Sequence, residues 1–341
     1  MTASLDDVFL KLEKQKSLTP EEMTQAMEWV VSGKAGDQSI ERFLVLLRQK
    51  GETAAEITAA AKVMRNHALG LSKKFKGLLD TCGTGGDGSH TLNVSTLSAL
   101  VACTAGIKVA KHGNRSVSSV SGSADLLELL GVPIDLSVDK IEVALEKIGF
   151  AFLFAPNFHP ATRYAMPARK KIQGKTIFNI LGPLSNPAGV DFQIVGVYDK
   201  KLVETVAQVL LALGLKRALV VHSADGLDEI SIADKTFVAE LTHGKLKNYE
   251  LSPEACGIQE MPLEGLKCRS KEESLELALK VLRGDAGPGL EIVSINAGAA
   301  LYVAGKAASI EEGARLSKKF LKQGLVQKKL AAIVSFSKKG Q

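Results

Sequence analysis

Residues 78–96 read Leu78-Leu79-Asp80-Thr81-Cys82-Gly83-Thr84-Gly85-Gly86-Asp87-Gly88-Ser89-His90-Thr91-Leu92-Asn93-Val94-Ser95-Thr96. The apolar pair at the start is the kind that ends a buried strand. Four glycines follow within six residues, from Gly83 to Gly88. Asn93 and Ser95 are each able to cap a helix that starts near Val94 and runs through Leu97, Leu100 and Val101. Strand, glycine loop and helix N-terminus together make an anion site. Glycines let the backbone approach the ligand, N–H groups point at it, and the helix dipole favours negative charge. The expected ligand is a phosphate or a pyrophosphate.

Neither familiar nucleotide loop is present. A Walker loop ends in Gly-Lys-Ser/Thr, and a dinucleotide fingerprint wants an acidic residue about 20 residues on, at the end of a second strand. Here the second strand candidate, Ile107–Ala110, runs instead into Lys111-His112-Gly113-Asn114-Arg115. Asp87 sits inside the glycine loop, where a carboxylate makes sense beside a phosphate if a metal ion lies between them.

Working outward, residues 1 to about 72 carry helix signals only. Leu5, Val8, Phe9 and Leu12 fall at helical spacing. Thr19-Pro20-Glu21-Glu22 and Thr53–Glu56 are capping boxes, and Ile40, Phe43, Leu44 and Leu47 form one apolar face. This predicts a small helical domain over 1–72, joined by helices from about 157–187. From 73 to 341 strands alternate with helices. The strand candidates are Leu78–Thr81, Ile107–Ala110, Ala151–Phe154, Phe192–Tyr198, Arg217–His222 and Ile292–Asn296. Thr236–Leu241 and Lys245–Glu250, joined at Thr242-His243-Gly244, read as a hairpin. The fold class is therefore α/β, a mostly parallel sheet flanked by helices, with a smaller all-helical domain.

Composition narrows the function. The chain has 341 residues, 45% of them hydrophobic and 23% charged, with a net charge of +6. Aromatics are only 5% and the basic residues are dispersed, so a nucleic-acid face is not indicated. Mild basicity suits an enzyme with polyanionic substrates. Cys82, Cys103, Cys256 and Cys268 show no metal or disulfide spacing, which points to a reducing compartment. No signal peptide and no membrane-spanning stretch is evident, so the expected location is cytoplasmic.

Open parallel sheets bind ligands beyond the carboxyl ends of their strands. That rule selects four stretches. They are the glycine loop; Lys111–Ser119 with Ser121–Asp125; Asp225-Gly226-Leu227-Asp228-Glu229; and the basic run Arg163, Arg169, Lys170 and Lys171 near Phe178–Pro183. The second is rich in cations and hydroxyls, which is phosphate-binding chemistry. The adjacent Asp228 and Glu229 suit Mg²⁺ held against a pyrophosphate. An arginine of the fourth suits a carboxylate. No side-chain nucleophile is demanded.

Taken together, Asp80–Asp87, Lys111–Arg115, Ser121–Asp125, Phe152-Leu153-Phe154-Ala155-Pro156, Phe178–Pro187 and Asp228-Glu229 resemble the anthranilate phosphoribosyltransferases, in order and through nearly the whole chain. The resemblance implies transfer of phosphoribosyl from 5-phosphoribosyl 1-pyrophosphate (PRPP) to the amine of anthranilate, in tryptophan biosynthesis. It also implies Mg²⁺, two ions per subunit, and a homodimer through the helical domain, with the fold of the pyrimidine nucleoside phosphorylases.

Carried onto this sequence, the resemblance places PRPP on Gly83, Gly86, Asp87, Thr91, Asn93, Val94, Ser95, Thr96, on Lys111, His112, Gly113, Asn114, Arg115, Ser116, Val117, Ser118, Ser119, and on Ser123. Anthranilate falls to Gly83, Asn114 and Arg169, with Arg169 on its carboxylate. Metal falls to Ser95, Asp228 and Glu229, and the catalytic roles to Lys111 and Arg169. His90 and Leu92 stand where the family leads one to expect glycine and phenylalanine, and Gln173-Gly174-Lys175 where it leads one to expect Gly-x-Arg. Two other readings stay open: a nucleoside phosphorylase, and a non-enzymatic nucleic-acid-binding relative.

Overall fold

The computed structural model describes residues 4–116 and 120–339. Four helices open the chain: α1 (Leu5–Glu13), α2 (Pro20–Val31), α3 (Asp37–Lys50) and α4 (Ala54–Asn66). Ser4, Thr19 and Thr53 each close a capping box at the start of α1, α2 and α4. The apolar faces of these helices meet in one core, including Val8, Leu12, Met27, Phe43, Leu47 and Ile57.

A second region alternates strand and helix. It runs β1 (Leu78–Gly83), α5 (Val94–Thr104), β2 (Lys108–Gly113), α6 (Ser123–Leu129), α7 (Val138–Lys147) and β3 (Phe150–Phe154). Short helices α8 (Ala155–Phe158), α9 (Met166–Lys171) and α10 (Ile177–Leu184) follow. Ala165, Ala168, Ile177 and Phe178 of that segment share the core of α1–α4. The chain then returns through β4 (Phe192–Gly196), α11 (Leu202–Ala212), β5 (Arg217–Ser223) and the hairpin β6 (Thr236–Thr242) and β7 (Lys245–Leu251). It ends in α12 (Lys271–Arg283), α13 (Pro288–Val303), α14 (Ile310–Lys322) and α15 (Leu325–Lys339).

The seven strands form one sheet in the order β3-β2-β1-β4-β5-β6-β7. The pairs from β3 to β5 are parallel, and β6 and β7 are antiparallel. Successive residues of β5 face opposite layers: Leu219 and Val221 pack with the α5 and α13 side, Ala218 and Val220 with the α11 and helical-bundle side. From β1 the chain steps to β2 and β3 on one side and then returns to β4 on the other, so the glycine loop leaves the sheet at a switch point, where parallel sheets open a crevice.

One strand expectation fails. Ile292–Asn296 lies inside α13. That helix is buried on nearly every face, so its sequence lacks the polar stripe that marks a helix. Its β-branched run then imitates a buried strand. Gly298 explains the burial: a β-carbon there would lie 2.3 Å from Ala314 N, so α13 and α14 touch backbone to backbone. Among the described residues no helix is long and apolar enough to cross a membrane.

Candidate active site

The glycine loop lies across the top of β4. Thr84 N donates to Gly196 O at 2.9 Å, and Tyr198 N donates to Thr84 Oγ1 at 3.0 Å. Gly85, Gly86 and Gly88 hold φ of +61°, +75° and +73°, a conformation other residues enter only with strain. The far half of the loop is fastened to residues 266–268. Leu92 N donates to Leu266 O, Cys268 N donates to His90 O, and Thr91 bridges Lys267. Asn93, rather than Ser95, caps α5, its Oδ1 accepting from Thr96 N at 3.2 Å. The Val94 and Thr96 side chains are buried, so these two residues offer a ligand only backbone. Ser95 is partly exposed.

Lys111 departs from its expected place. It is fully buried, and its ammonium donates to Thr81 O at 2.5 Å and to Ser95 Oγ at 3.3 Å. Burial holds its pKa below the usual lysine value, against the pull of Asp80, Cys82 and Glu229. Asp80 is also fully buried. It accepts from Asn186 Nδ2 at 2.8 Å and from His112 N at 3.2 Å. Lys111 therefore lies beneath the loop, against Ser95, and does not line the cleft. The His112 ring likewise turns inward, 5.0 Å from the His159 ring, edge to face. Burial pulls the two imidazoles down to about 3 and about 4.

Asp228 is seated against the glycine loop. Its Oδ2 accepts from Gly85 N at 3.0 Å and would lie 2.6 Å from a β-carbon on Gly83. A β-carbon on Gly196 would lie 1.5 Å from the Asp228 carbonyl oxygen. Glycine at both positions lets the acidic turn reach the loop. Burial, then the charge of Asp87, pushes Asp228 up to about 7. Burial, then the charge of Asp228, pushes Glu229 well above the carboxylate range. Among the described residues no three His, Cys, Asp or Glu side chains form a metal cage. Two crowded carboxylates, Glu229 against the Ser95 backbone and Asp228 against Gly85, fit a hard divalent cation that takes its other oxygens from a phosphate ligand and water, as Mg²⁺ does.

After β2, Asn114 and Arg115 are exposed. Arg115 pairs with Glu128, and Asp125 gathers the loop base by accepting from Ser116 N at 3.1 Å, Gly122 N at 2.9 Å and Lys271 Nζ at 2.7 Å. A β-carbon on Gly122 would meet Ser116 N at 2.3 Å, so the base closes only on glycine. Ser123 opens α6 beside Gly113. Val117, Ser118 and Ser119 lie outside the described residues. The Lys271 link was not legible in the sequence, because α12 is 146 residues from Asp125.

Arg169, on α9, lies with its guanidinium 5.1 Å from the Phe178 ring centre and forms no ion pair among the described residues. Burial lowers its pKa. A desolvated cation braced on an aromatic face is suited to take a planar carboxylate.

Comparison with known proteins agrees with this layout. Residues 76–327 match the glycosyl transferase family a/b domain, and residues 7–68 match its helical bundle domain. An anthranilate phosphoribosyltransferase of Petrotoga mobilis is 46% identical over 96% of this chain and 95% of its own. The crystal structure of anthranilate phosphoribosyltransferase from Thermus thermophilus superposes with a TM-score of 0.91 at 41% identity, covering 97% of this chain and 99% of that one. The Saccharomyces cerevisiae enzyme in complex with PRPP and Mg superposes at 0.89 with 26% identity, covering 98% of both. With both domain models matched and relatives covered over nearly the full length, the chain belongs to the anthranilate phosphoribosyltransferase family.

Proposed function

We infer that this chain transfers the phosphoribosyl group of PRPP to the amine of anthranilate, giving N-(5-phosphoribosyl)anthranilate and pyrophosphate in tryptophan biosynthesis. The observation that carries this reading is the seating of Asp228 on the glycine loop, which brings acidic and anion-binding groups into one site.

Gly83, Gly86, Asp87, Thr91 and the start of α5 receive the ribose and phosphates. Asn114, Arg115, Ser116 and Ser123 close on them from the β2 side. Ser95, Asp228 and Glu229 would hold Mg²⁺, two ions per subunit, and the metal would neutralise charge on the pyrophosphate. Lys111 adds positive potential from below and fixes the Ser95 hydroxyl. Arg169 takes the anthranilate carboxylate, with Asn114 and the Gly83 backbone beside the ring. The bond from C1′ to the pyrophosphate oxygen breaks, the bond from C1′ to the amine nitrogen forms, and the nitrogen then sheds a proton. That amine needs no strong base, so positioning and charge stabilisation supply most of the acceleration. The subunits pair through the helical bundle, and the enzyme works in the cytoplasm.

The test is phosphorus NMR of PRPP and Mg²⁺ with the protein, with and without anthranilate. Free pyrophosphate should appear only when anthranilate is present. Turnover of a pyrimidine nucleoside with phosphate, without this reaction, would overturn the reading.

A further inference from the structure

Lys175 lies between the helical bundle and the glycine loop. A β-carbon placed on Gly86 would lie 3.0 Å from Lys175 Cε and 3.9 Å from its Nζ, so the side chain runs directly along the loop. Its ammonium stands 3.7 Å from the centre of the Tyr198 ring. Tyr198 is itself tied to the loop, through its N–H on Thr84 Oγ1. The backbone of Lys175 is held from the other side: Arg48 of α3 donates to Gln173 O at 2.8 Å and, more weakly, to Lys175 O at 3.4 Å.

Among the described residues Lys175 forms no ion pair, unlike Lys50 on Glu56 or Lys271 on Asp125. An aromatic face is a modest partner for a cation, weaker than a phosphate oxygen. Lysine carries its charge on a flexible four-carbon stem, so the ammonium can leave the ring without moving the backbone that Arg48 holds. Beside it is a loop whose glycines expose backbone to a polyanion.

We propose that Lys175 is a further phosphate-binding residue of this site, parked on Tyr198 in the free protein and moving onto the pyrophosphate group of a ligand seated at Gly86. The inference rests on the PRPP reading above and adds a cation from the bundle side of the cleft.

The test compares the parent chain with Lys175→Met and Lys175→Arg, using Mg²⁺-pyrophosphate titration by calorimetry and steady-state kinetics. Methionine keeps most of the stem and removes the charge. It should weaken pyrophosphate binding and raise the PRPP KM by about tenfold, as expected for losing one charged hydrogen bond, with the anthranilate KM and the thermal midpoint unchanged. Arginine should restore most of the loss. Parent-like pyrophosphate binding by Lys175→Met overturns the proposal, as does an equal loss in both variants, which would mark a role in shape and not charge. A parent chain that binds no pyrophosphate overturns the PRPP reading itself, and this inference with it.

Discussion

The carbonyl oxygen of Asp228 occupies the space a side chain on Gly196 would need, 1.5 Å from the β-carbon position. Gly196 ends β4 and Asp228 lies on the turn after β5, so two parallel neighbours are locked tip to tip. Gly196→Ala must push the acidic turn off the loop. Displacing a positioned group by about 1 Å costs on the order of 100-fold in rate. We expect at least that loss in kcat/KM, with a higher Mg²⁺ requirement and a native circular dichroism spectrum. Near-parent kinetics would show that the turn can shift without consequence.

Lys111 and Asp80 are both fully buried on neighbouring strands. Removing one buried charge leaves the other poorly compensated, at a cost of about 3–5 kcal/mol. Lys111→Met should lose that much stability in urea denaturation. Combining it with Asp80→Asn should recover more than half. A single variant as stable as the parent would mean Asp80 does not depend on this lysine.

Arg169→Ala should raise the anthranilate KM by roughly 10- to 100-fold, the range for a lost hydrogen bond to a charged group. The PRPP KM should hardly change. Arg169→Lys keeps the charge without the fork and should fall between the two. An unchanged anthranilate KM in the alanine variant would remove Arg169 from the carboxylate site.

His112 and His159 predict a specific acid sensitivity. Their folded values, about 3 and about 4, lie below the ordinary histidine value of about 6.5. Above that value both folded and unfolded chains are neutral at these sites, so no stability depends on them. As pH falls below it, the unfolded chain takes up protons that the folded chain refuses, and stability is lost until the folded imidazoles titrate. At pH 5 this amounts to about 2 kcal/mol per histidine. His159→Phe should therefore gain about 2 kcal/mol relative to the parent between pH 7.5 and 5, read from urea midpoints. Parallel pH profiles for the two proteins would contradict the burial of that charge.

Much of the architecture was legible because local signals agreed. The capping boxes at Thr19 and Thr53, the glycine loop before α5 and the β6–β7 turn each name their own geometry. α13 was not legible as a helix, since a helix buried all round has no amphipathic period to read. The site was legible as a set of motifs but not as a set of directions. β2 ends at Gly113, so the buried Lys111 lies within the strand and the exposed Asn114 just beyond it, and the linear sequence does not mark where the strand stops. Contacts between distant segments, such as Gly196 with Asp228 and Lys175 with Gly86, carry no local mark.

The most direct measurement follows the intrinsic fluorescence of anthranilate mixed with the protein, PRPP and Mg²⁺, leaving out one component at a time. Fluorescence should fall only when all are present, and that fall should be lost in the Asp228→Asn, Glu229→Gln double variant. A flat trace from folded parent protein, or an unchanged fall in the double variant, would contradict it.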